Sequence, residues 1–124
     1  DKNYSIIGDF DLIYRLSLTW KFVYIKKPLG SYRIHKNNLS KNNILFIDEL
    51  QRWYSMQQDL LPKEKKYISE KILYLKSIEL IYEGKRLESF GKLSKFSFGY
   101  YQLKLLIILF LPLFLLKIVK KYKY

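Results

Sequence analysis

The sequence predicts an α+β fold that is mostly helical: the C-terminal part of an α/β domain, contributing a helix and short strands, followed by a helical hairpin and a hydrophobic C-terminal helix. Three observations lead there. A β-prone apolar run, Phe22-Val23-Tyr24-Ile25, stands between a helical stretch and a Pro28-Leu29-Gly30 turn. Apolar residues then recur at three and four residues from Ile44 to Tyr82, the period of an amphipathic helix. Finally, every residue of 105–116 is apolar.

Taken in order, Gly8 interrupts what precedes it and Asp9 stands where a helix should start. The helix runs to about Ser17, a strand follows at 21–25, and Pro28, Leu29 and Gly30 turn the chain into a second extended segment at 31–34. Lys36, Asn37 and Asn38 form a polar loop, and Asn38 and Ser40 are placed to cap the next helix. Ile44, Ile47, Leu50 and Trp53 or Tyr54 mark that helix, which is expected to reach about Leu60. Pro62 suits the first turn of its partner, whose apolar stripe is Ile68, Ile72, Leu75, Ile78 and Tyr82 and whose end is Gly84. The segment 85–98 reads as a further short helix or a loop with helix. No internal repeat or low-complexity segment is present.

At 124 residues with 49% hydrophobic content, the chain is long enough for one small domain with a core. It opens at Asp1 on an element already in progress, which leads us to expect the C-terminal part of something longer. There are 23 Lys and Arg against 11 Asp and Glu, and no acid follows Glu88. From there the charge rests on Lys92, Lys95, Lys104, Lys117, Lys120, Lys121 and Lys123, so the end of the chain calls for an anionic partner. The absence of cysteine excludes a disulfide framework and a cysteine metal site.

The apolar run of 105–116 would cover roughly 18 Å as a helix, against about 30 Å of bilayer hydrocarbon, so it is too short to span. Tyr100 and Tyr101 precede it, lysines follow it, and Pro112 would kink it. Two readings stay open: a helix lying in the interface of an anionic membrane, which the lysines favour, and a buried core helix. The expected division is 1–40 as the piece of the α/β domain, 41–99 as a helical subdomain and 100–124 as a basic, membrane-associating helix.

Chemistry-bearing residues concentrate in 7–40. Asp9 puts a carboxylate at the mouth of a helix, where negative charge is favoured. Arg33 and His35 lie two apart, which on an extended segment aims both side chains to one face. A carboxylate, a guanidinium and an imidazole can then meet in one pocket. By spacing alone, Asp9 is also a simple helix cap, and Asp11 and Arg15 a simple i,i+4 ion pair.

With these residues laid out, the chain resembles the C-terminal part of a family 2 glycosyltransferase of the GT-A fold, the enzymes that build bacterial surface polysaccharides. The family pattern is acid-Asp-x-Asp-Leu-x-x-Arg, then Phe-x-Tyr-Ile, then Pro-Leu-x-x-Tyr-Arg-x-His-x-x-Asn-x-Ser. It is matched by Asp9, Asp11, Leu12 and Arg15, by Phe22, Tyr24 and Ile25, and by Pro28, Leu29, Tyr32, Arg33, His35, Asn38 and Ser40. Gly8 stands where many members carry an acid. Asp9-Phe10-Asp11 copies the look of the family's metal motif, but the residues that follow match the acceptor-side block instead.

The resemblance implies an inverting transfer of sugar from a nucleotide-sugar donor to a lipid-linked or growing saccharide acceptor, at the cytoplasmic face of a bacterial membrane. Asp9 is then the catalytic base. Arg33 and His35 approach the donor diphosphate and its divalent cation, Mg or Mn, with His35 a ligand of that metal. Asp11, Arg15, Asn38 and Ser40 support the site. The nucleotide-binding half and most metal ligands would lie upstream of Asp1.

A non-catalytic membrane-docking helical module is the alternative. A nucleic-acid binder is disfavoured, because the basic residues of the tail flank a continuous apolar run rather than alternate with aromatics on a polar face. No phosphate-cradling glycine loop, metalloprotease pattern or Ser-His-Asp order is present to suggest a hydrolase.

Overall fold

The computed structural model describes residues 4–31, 38–39, 42–112 and 114–116. Among them are α1 (Gly8–Ser17), α2 (Asn43–Met56), α3 (Pro62–Tyr82), α4 (Arg86–Gly91), a 3₁₀ turn (Leu93–Lys95) and α5 (Tyr100–Phe110). The chain divides into two compact units, Asp1–Trp53 and Tyr54–Tyr124.

No strand forms among the described residues, which overturns the expected α+β class and with it the GT-A α/β domain. The run at 21–25 carries the right residues but pairs with no strand among the described residues. Phe22, Val23 and Tyr24 are exposed, Val23 to 87%. Strand propensity measures how well side chains pack on a pleated, half-buried surface, and ladder bonds need a second strand; neither is present here. The second expected extended segment, 31–34, lies outside the described residues except for Ser31.

In the first unit, α1 begins after Ile7, carries Asp9 and Asp11 in its first turn, and ends in a tight turn in which Thr19 and Trp20 N–H both reach the Leu16 carbonyl. The cap of α2 is Asn42, whose side-chain oxygen accepts from Leu45 N–H at 3.0 Å. The expectation had put the cap at Asn38 and Ser40; Ser40 is outside the described residues. The helix stops at Met56 rather than near Leu60. On α2, Ile47, Glu49, Leu50 and Trp53 are buried, with Glu49 and Trp53 one turn apart on the same face.

In the second unit, Pro62 occupies the first turn of α3 and the Glu64 carboxylate accepts from Leu61 N–H at 2.9 Å, closing that end. At the other end Lys85 N–H bonds the Leu80 carbonyl and Gly84 N–H bonds that of Ile81, a Schellman arrangement. It requires a left-handed residue, and Gly84 supplies φ +83°.

The core of this unit is Ile81, Phe96, Leu105 and Leu116, with Tyr74, Ile78, Tyr82, Tyr101, Ile108 and Leu109 packed around it. Ser77 and Ser89 are buried between α3 and α4, where their small side chains permit close approach, and the Ser89 hydroxyl donates to the Ser77 carbonyl at 3.0 Å. Glu70 on α3 accepts from the Ser97 N–H and hydroxyl, tying the segment before α5 to the same helix.

The apolar run of 105–116 is not one helix. It breaks after Phe110, where Leu111 turns extended ahead of Pro112. The Arg86 guanidinium holds this break, donating to the Leu109 carbonyl at 3.0 Å and to that of Leu111. Among the described residues no helix is long and apolar enough to cross a membrane.

A Cβ placed at Gly84 would meet nothing within 4 Å, so the cost of a side chain there is purely conformational. Gly84→Ala is expected to lower the unfolding free energy by about 1–2 kcal/mol, read from urea denaturation.

Candidate functional site

The residues singled out for chemistry that the structure describes belong to the first unit, and their geometry is set by one face of α2. Trp53 is wholly buried there. Its ring meets Phe10 edge-on at 4.9 Å and Tyr14 at 5.0 Å, two residues one turn apart on α1. Its indole Nε1–H donates to Asp11 Oδ1 at 3.0 Å. The other carboxylate oxygen of Asp11 receives Arg15 Nε at 3.1 Å and Nη2 at 3.0 Å. Asp11 is thus a buried carboxylate, 5% exposed, with both oxygens engaged.

One turn before Trp53, Glu49 completes the same face. Its carboxylate accepts three consecutive backbone N–H groups leading into α1: Ser5 at 2.8 Å, Ile6 at 2.9 Å and Ile7 at 3.1 Å. Burial pushes the Glu49 carboxyl up, but these three bonds and the Arg52 charge outweigh it and hold the group below its ordinary value. Glu49 therefore pins, from another helix, the backbone that leads into α1.

That arrangement corrects the place given to Asp9. It is the second residue of α1, not its cap; the N-cap position is Ile7, which makes no side-chain bond. Two residues apart on a helix means about 200° of rotation, so Asp9 and Asp11 face opposite ways. Asp11 is turned inward and Asp9 outward, where its Oδ1 accepts only the neighbouring Phe10 N–H at 2.7 Å among the bonds resolved.

Arg33, His35 and Ser40 lie outside the described residues, as does Tyr32; Asn38 is described, ahead of α2. The structure accordingly brings together Asp11, Arg15, Trp53 and Glu49. Among the described residues no three His, Cys, Asp or Glu side chains gather to hold a metal, and Asp11 has no oxygen to spare. His35, the ligand the resemblance implies for Mg or Mn, lies outside the described residues, and no step is derived through that ion.

Glu49 and Trp53 both hold α1 here; in the sequence Trp53 stood out only as part of a helical stripe and Glu49 not at all. The available signal was the four-residue step from Glu49 to Trp53, which puts an acid one turn from a residue of the expected apolar stripe. A buried acid calls for a donor.

No protein family, curated protein or solved structure matches the chain.

Because the Glu49 carboxyl is held below its ordinary value, its contribution to stability is present in full above about 4.5 and is lost as pH falls through the lowered value. The gap in unfolding free energy between the native chain and Glu49→Gln should be widest near neutrality and close toward pH 3, measured by urea titration across that range. Trp53→Phe keeps most of the ring packing but leaves Asp11 Oδ1 without its donor. It should cost about 1.5–3 kcal/mol, checked by the same denaturation at pH 7.

Proposed function

We propose that this chain is the acceptor-side segment of an inverting glycosyltransferase, with Asp9 as the general base. The observation that carries the reading is the division of labour between two aspartates two residues apart. Asp11 is consumed by Trp53 and Arg15, while Asp9 presents an exposed carboxylate on a helix whose position is fixed from behind. It is supported by the ordered block of residues at 9–40, taken as a resemblance in residues and independent of the α/β fold.

The chemistry asked of Asp9 is one proton transfer. An acceptor hydroxyl hydrogen-bonds the Asp9 carboxylate, and the hydroxyl oxygen attacks the anomeric carbon of the donor sugar from the face opposite the nucleoside diphosphate. As the new carbon–oxygen bond forms, the proton passes to the carboxylate. The bond to the diphosphate oxygen breaks, and its electron pair leaves with the nucleotide. In this reading Arg33 meets the growing charge on the diphosphate bidentately and His35 donates to it. The acceptor is a saccharide, free or lipid-linked, and the working location is the cytoplasmic face of a bacterial membrane.

Phe10 and Tyr14, packed edge-on against Trp53, set the rotation of α1 and hence the direction in which Asp9 points. Trp53 is in this sense a positioning residue for the base.

In the whole protein, Asp9→Asn should lower transfer from a panel of labelled nucleotide-sugars to a membrane-lipid or oligosaccharide acceptor by about 10²–10⁴-fold, with the helical circular dichroism unchanged. Turnover at the native rate in that variant would overturn the assignment.

A further inference from the structure

α5 has two faces of different fate. Tyr101, Leu105, Ile108 and Leu109 form one stripe, turned to the core built on Ile81 and Phe96. Leu103, Leu106, Ile107 and Phe110 form the opposite one, spaced at three, four and seven residues, and all four are exposed, Ile107 to 63% and Phe110 to 77%. The helix is anchored on its inner side and bare on its outer side.

At the margin between the stripes lies Lys104, about 100° around the helix from Leu103. Its ammonium donates to the Tyr100 hydroxyl at 3.2 Å and stands 5.3 and 5.4 Å from the ring centres of Tyr100 and Tyr74. Tyr67 and Tyr101 extend this aromatic group, their rings 5.8 Å apart. The hydrogen bond from Lys104 to Tyr100 favours the ammonium form.

We propose that the outer face of α5 docks in the plane of an anionic bilayer, with Leu103, Leu106, Ile107 and Phe110 entering the acyl boundary and Lys104 on a lipid phosphate. Charge complementarity selects this occupant. No acidic residue occurs after Glu88, whereas seven lysines do, so an anionic surface meets cations and no repelling carboxylate from this part of the chain. An apolar stripe flanked by a lysine and tyrosines is also the layering of the interface itself: acyl chains, then amphipathic rings, then phosphate. The inner stripe stays on α3, so the helix lies flat and penetrates by one face only.

The proposal does not rest on the transfer chemistry, and the two fail separately: Asp9→Asn leaves vesicle binding as it is. The test is co-flotation of the whole chain with vesicles of phosphatidylcholine, with and without phosphatidylglycerol. The native chain should float with the anionic vesicles in preference to the neutral ones. Phe110→Glu and Ile107→Glu, both at exposed positions that leave the core intact, should each weaken that binding about tenfold or more. Leu87→Glu, an equally exposed leucine on α4, should not. The proposal is overturned if the native chain does not float, if both α5 variants bind as the native chain does, or if Leu87→Glu loses as much. It is equally overturned if the outer face proves to be buried against a second copy in solution.

Discussion

Backbone N–H and carbonyl groups near helix ends need partners, and at two places in this chain the partner is a charged side chain from another helix. Glu49 on α2 gathers the three N–H groups that lead into α1, and Arg86 on α4 gathers the two carbonyls that end α5. Each places the sign of charge that the local backbone dipole prefers, a carboxylate at an N-terminus and a guanidinium at a C-terminus. With no sheet among the described residues to organise the helices, these cross-helix closures define where α1 starts and where the apolar run of α5 stops.

The consequence for α1 is rotational. Glu49 fixes its end, and Trp53, one turn along the same face of α2, fixes its angle through Phe10, Tyr14 and Asp11. Once Asp11 is turned inward, the 100° per residue of the helix obliges Asp9 to face outward. An exposed carboxylate is thereby held on a rigid element without being drawn into an ion pair of its own, the condition a general base needs before any substrate arrives. The same logic separates the two faces of α5: holding Leu105 against Ile81 obliges Ile107 and Phe110 to point away.

What was legible in the sequence follows the range of the interaction involved. Pro62, Glu64 and Gly84 mark the ends of α3 within a few residues of themselves, and the helical period from Ile68 to Tyr82 marks its buried side, although Ile81, the most buried apolar residue of that helix, lay outside the expected stripe. The strand expected at 21–25 failed for the opposite reason: Phe22, Val23, Tyr24 and Ile25 describe what a strand looks like, but a strand is made by its neighbour. Of the two readings of the apolar run of 105–116, the inner face of α5 meets that of a core helix, and the outer face is left exposed.

The sequence by itself determined the elements whose signals are local: the helical stretches, the two ends of α3 and the basic end of the chain. Only the tertiary structure decided which of two aspartates is buried, that Glu49 closes α1 from 42 to 44 residues away, and which stripe of α5 is left bare. Those choices are contacts between residues far apart in the chain. A periodic pattern shows that a helix has two faces, and only a packing partner selects between them.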